Sequence, residues 1–119
     1  MAAQEDFILI FARDFPSFRR SAQALTSIVR EEVARLRSAQ VPSLIALPPI
    51  TQRQVKREGR NYTVAVWHDV LPSGAHRIVA QVTQPRLFGV FSRVASDGIE
   101  VSSEGSLRNL DWLELADFS

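Results

Sequence analysis

The chain has 119 residues, 45% of them apolar and 23% charged, with a formal net charge of +1. Disorder would require fewer apolar residues and a larger net charge, and the length suits one domain with one core. The absence of cysteine excludes a disulfide scaffold, a thiolate metal site and a cysteine nucleophile together.

No stretch has the roughly 20 apolar residues of a membrane span. The start lacks the basic region and apolar run of a secretory signal. The expectation is a cytoplasmic chain, residues 1–119 forming a single α+β domain with no cofactor and no membrane contact. Charge is unevenly placed along it. Thr51 to Arg93 holds seven bases against two acids, and Val94 to the end holds one base against six acids. A dipolar chain can close on itself, pair with a copy, or meet an anionic partner.

In chain order, Phe7–Ala12 is rich in β-formers and reads as a buried strand, with a helical turn as the rival, since periodicity does not separate the two at this length. Asp14-Phe-Pro-Ser17 is a helix start. Phe18, Ala22, Leu25, Ile28, Val29, Val33 and Leu36 then recur at spacings of three and four, one apolar stripe of a long amphipathic helix. Arg19, Arg20, Gln23, Ser27, Arg30, Glu31 and Arg35 fall mostly on its other face. The helix is predicted to end near Gln40, because Val41 precedes Pro42. Val41 to Gly59 reads as an extended connection, with Leu44–Leu47 laid against the core or forming a short strand.

From Arg60 the pattern becomes a four-stranded antiparallel meander. Its predicted strands are Tyr62–Leu71, Arg77–Thr83, Leu87–Ala95 and Ile99–Ser102. The turns fall at Pro72-Ser-Gly74, at Gln84-Pro85 and at Ser96-Asp97-Gly98, where Asp-Gly supplies positive φ angles. Gly89 inside a strand pattern marks a bulge or close contact. Leu107 and Leu110 can add a scrap of strand. Asp111-Trp-Leu-Glu114 has capping-box spacing and predicts a short helix from Trp112 to about Phe118.

Strand, helix and meander in this order resemble cystatin-like folds, in which the sheet wraps one long helix. The resemblance is architectural. Inhibitory cystatins carry a Gln-x-Val-x-Gly loop, whereas Gln54 to Gly59 here is one residue too long with its valine misplaced, so no protease-inhibitor role follows.

Three groups of residues can carry function. Arg53, Lys56, Arg57 and Arg60, with Tyr62 just beyond, form a basic run with a candidate stacking aromatic, a pattern suited to nucleic acid or another anionic ligand. The bland alternative is a solvated face. His68, Asp69 and His76 flank one predicted turn, and a carboxylate opposite an imidazole would orient it for acid–base work. Polar residues also collect at turns simply because turns are solvated, and register is not fixed by one turn. Two histidines and one aspartate at this spacing make a poor metal site. Phe7, Phe11, Phe15 and Phe18 anchor the core or offer an aromatic surface to a partner. The reading that follows is a small non-catalytic module binding a protein partner or itself, as a homodimer that covers a sheet edge. An anionic-ligand binder is second and an acid–base enzyme third.

Overall fold

The structure, a computed structural model, describes residues 16–85 and 92–115. It is α+β, with helices packed on a five-stranded antiparallel sheet in the order β1-β2-β3-β4-β5. Helix α1 spans Pro16–Ser38. Its stripe is buried through Leu25, Ile28, Val29, Val33 and Leu36, and Arg35 and Arg37 in the last turn oppose the negative end of the helix dipole. The expected strand at Phe7–Ala12, on which the cystatin-like order depends, lies outside the described residues. So does the aromatic group from Phe7 to Phe15, while Phe18 is described in its backbone alone.

The break after α1 falls at Gln40, which is extended (φ −69°, ψ 142°), and the chain resumes as a short helix α2, Val41–Ile45. This corrects the expectation of an extended segment: proline is tolerated in a first helical turn, so Pro42 starts the helix instead of preventing it. Leu44 plugs the core from α2.

The sheet comprises β1 (Ile50–Arg57), β2 (Arg60–Val70), β3 (His76–Pro85), β4 (Ser92–Val101) and β5 (Leu107–Asn109). Strand β1, expected to be connection, pairs with β2 through the two-residue turn Glu58-Gly59, whose φ angles are 53° and 77°. Positive φ at both central residues is the geometry of a tight hairpin turn. Pro72-Ser73-Gly74 turns the chain as expected, with Gly74 at φ 88° and Leu71 N–H donating to the Ala75 carbonyl at 2.8 Å.

Gln84-Pro85 is not a turn; it is the end of β3, paired to Arg93 and Ser92. The β3–β4 connection, with Gly89, lies outside the described residues. Ser96-Asp97-Gly98 is not a hairpin either. It lies within β4, with Asp97 opposite Ala80 and Gly98 opposite Val79, so two expected strands are one. Gly98 is there for closeness: a Cβ would stand 2.5 Å from the Ile78 carbonyl oxygen and 2.9 Å from Leu110 Cδ1. The turn comes later, at Ser103-Glu104-Gly105, where Ser102 Oγ accepts from the backbone of Glu104 and Ser106.

Leu107 begins β5 as its pattern suggested. The capping box then opens α3 (Trp112–Leu115): Glu114 N–H donates to Asp111 Oδ1 at 2.9 Å, and Asp111 N–H reaches back to Glu114 Oε2. The main core lies between α1 and the sheet face carrying Tyr62, Val64, Val66, Ile78, Ala80, Val82, Ala95, Ile99 and Val101. On the opposite face Leu110 and Leu115 cover Val79. No described helix is long and apolar enough to cross a membrane.

Candidate functional site: a cationic sheet edge

Strand alternation decides where the basic run goes. On β1, Arg53, Val55 and Arg57 share the helix side and pair with Val64, Tyr62 and Arg60, while Gln52, Gln54 and Lys56 face the other way. Tyr62 lies on the helix side too and is 1% exposed. It is a core residue and does not serve as the stacking platform its sequence position suggested. Arg60 heads β2 beside the tight turn, half-buried.

The two helix-side arginines are held by acids of α1. Glu32, 2% exposed, receives Arg53 Nη2 at 2.7 Å and also pairs with Arg35, one turn along the helix. Glu31 receives Arg57 Nη2 at 2.8 Å. Hydrogen bonds to Glu32 and Glu31 raise the Arg35 and Arg57 pKa values above their ordinary range, with desolvation opposing. The importance of Glu32 is readable in retrospect. It stands four residues from Ile28 and from Leu36, a carboxylate inside the apolar stripe, and a buried charge needs partners.

The backbone of β1 completes the site. In an antiparallel ladder, residue pairs that exchange both backbone hydrogen bonds alternate with pairs that exchange none. The two-residue turn makes Arg57–Arg60 a bonded pair, so Val55, Arg53 and Thr51 also bond to β2. The N–H and C=O groups of Ile50, Gln52, Gln54 and Lys56 then point off the sheet edge. Residues Ile50 to Gln54 are all exposed, and among the described residues no strand lies beyond β1. A shallow depression of about 230 Å³ sits beside this edge, lined by Gln23, Ala24, Ser27, Arg57 and Glu58.

The histidine group divides. His68 and His76 share one face and stack with centroids 5.0 Å apart, with His68 Nε2 2.8 Å from His76 Nδ1. His68 Nδ1 lies 2.7 Å from the Leu47 carbonyl, which can only accept, so Nδ1 donates there, and one proton is shared between His68 Nε2 and His76 Nδ1. The pair clamps the approach to β1 onto the sheet. Asp69 faces the other side, opposite Arg77 and paired to it at 2.6 Å. A carboxylate–imidazole pair would need Pro72-Ser73 alone as the turn; with Gly74 also in it, His76 stands opposite Val70 and Asp69 opposite Arg77.

Among the described residues of one chain, the acids near the C-terminus find a partner other than the basic run. Glu100 and Glu114 both pair with Arg108, at the far edge of the sheet from β1. Comparison with protein families, curated proteins and solved structures returned no match, so any function is argued from geometry.

Proposed function

We propose that this domain is a non-catalytic protein-interaction module that takes an extended, acidic segment of a partner as an added strand on β1. The observation that carries the reading is the edge left open among the described residues: four alternate residues, Ile50, Gln52, Gln54 and Lys56, offer backbone donors and acceptors along an exposed strand. Main-chain bonds of this kind supply affinity, and alternate side chains supply selection. Arg53, Lys56 and Arg57 flank the edge and favour carboxylates. The depression beside Arg57 offers room for a side chain of the incoming strand.

Nucleic acid is the weaker reading. Tyr62 is buried and offers no stacking surface to a base. Self-association is favoured over it by one observation: the acids around β5 and α3 lie at the opposite sheet edge from the bases. A symmetric β1–β1 dimer would set like charges against each other, whereas head-to-tail contact would match them. The cytoplasm is the proposed compartment, in keeping with the absence of cysteine.

The test is fluorescence anisotropy with two capped nonapeptides, alternating valine–glutamate and alternating valine–lysine. The reading predicts saturable binding of the glutamate peptide, weakened by 0.5 M salt and by Arg53→Glu, with no binding of the lysine peptide. Equal binding of both, or of neither, contradicts it. Sedimentation of the protein alone at rising concentration reports self-association.

A further inference from the structure

A second concavity lies away from β1. It is a groove of about 420 Å³ between α1 and the β4–β5 end of the sheet, lined by Arg30, Val33, Ala34, Arg37, Asp97, Asn109 and Leu110. Its size falls in the range of small-molecule sites, and its composition follows their pattern, an apolar floor with a few polar groups converging on it. Val33 and Ala34 supply the apolar side chains, while the Leu110 side chain packs against Val79 on the opposite sheet face. Arg30 and Arg37 stand seven residues apart on α1, about 10 Å along the helix axis. Asp97 and Asn109 face them from the sheet side.

Asp97 is the informative residue. It sits within β4, where a charged side chain is poorly solvated, and its Oδ1 accepts from the Gly98 N–H at 2.8 Å. Asparagine would accept that same bond without carrying a charge. Burial pushes the Asp97 carboxyl above its ordinary pKa, with the Gly98 hydrogen bond and the charges of Arg37 and Arg30 acting against burial. A charge kept at a cost to stability, in a concave site, is characteristic of a binding group.

We infer that this groove binds a small amino-carboxylate with an apolar body, the size of a hydrophobic dipeptide. The ligand carboxylate lies against the guanidinium of Arg37, flanked by Arg30. Its ammonium group lies against Asp97 and the Asn109 side-chain oxygen, and its apolar side chains cover Val33 and Ala34. Charge is matched at both ends, and the apolar floor is removed from water. The site is independent of strand addition at β1.

The test is nitrogen-15 chemical-shift mapping with leucyl-leucine, its N-acetyl form and its C-terminal amide. The inference predicts saturable shifts at Asp97, Gly98, Asn109 and Leu110 with leucyl-leucine, and binding about tenfold weaker for each blocked form. Arg37→Ala, an exposed substitution that leaves the core intact, should weaken leucyl-leucine by a similar factor. Asp97→Asn should weaken leucyl-leucine while leaving the N-acetyl form unchanged. Shifts that appear elsewhere, an unchanged affinity in Arg37→Ala, or no shifts at all would overturn it.

Discussion

Strand β5 is three residues long and is followed at once by α3, whereas β1 runs eight residues with no described strand beyond it. Open strands invite pairing with other chains, and proteins blunt them with shortness, charge or cover. The β5 edge uses shortness and cover: after it the chain folds back, and Leu110 and Leu115 settle on Val79. The β1 edge uses charge alone. Under the proposed function, Arg53, Lys56 and Arg57 repel strands that carry bases and admit strands that carry acids. Among the described residues, one edge is covered and the other is open.

The comparison can be broken most severely at the support the two edges share. Leu25 is fully buried on the sheet-facing side of α1, which packs chiefly over β3 and β4. Leu25→Ala should cost about 2–5 kcal/mol, read by urea unfolding. A cost near zero would mean that α1 does not hold the sheet.

On the closed side, Gly98→Ala places a methyl against the Ile78 carbonyl and Leu110. Overpacking of this kind costs about 1–3 kcal/mol, and the loss should also loosen α3, as seen by faster exchange of its amides. An unchanged melt would show that the close approach is relieved cheaply.

On the open side, Arg53→Ala removes one of the two cations from the buried Glu32. A hydrogen bond to a charged group contributes about 1.5–3 kcal/mol, and the expected loss lies at or below the low end because the Arg53 side chain is half exposed. The double variant with Glu32→Gln should lose less than the sum of the singles. Strict additivity would separate Glu32 from the edge.

The smallest effect belongs to Asp97. Its folded-state pKa is raised by burial, so the folded chain holds more protons than the unfolded chain between the two pKa values. Stability therefore falls as pH rises through that window and stays lower above it. Asp97→Asn should raise the melting temperature slightly at pH 7 and make no difference below about pH 3, where both states are protonated. A lower melting temperature at pH 7 would mean that the arginines outweigh burial.

The sequence and the structure agree where one local rule acts without a competitor. The stripe from Leu25 to Leu36, the Pro72–Gly74 turn and the Asp111–Glu114 box each follow from spacing alone. They part where a rule has two causes. Asp97-Gly98 reads as a turn because glycine permits positive φ, but here glycine permits close packing. Glu58-Gly59 is a turn that Glu58 conceals, since asparagine or aspartate would be the usual first residue. Missing that turn hid β1, and with it the edge. The basic residues were legible as a group, but their roles were not. Strand alternation, which requires the register, sends Tyr62 into the core and ties Arg53 to Glu32.

Amide hydrogen exchange along β1 tests the central claim most directly. In the free protein the N–H groups of Ile50, Gln52, Gln54 and Lys56 should exchange quickly, and those of Thr51, Arg53, Val55 and Arg57 slowly. Adding the valine–glutamate nonapeptide should slow the fast set, and Gln54→Pro, which removes an outward N–H without touching the β1–β2 ladder, should abolish that protection. Protection that appears at β5 or α3 instead, or that survives in Gln54→Pro, would contradict strand addition at β1.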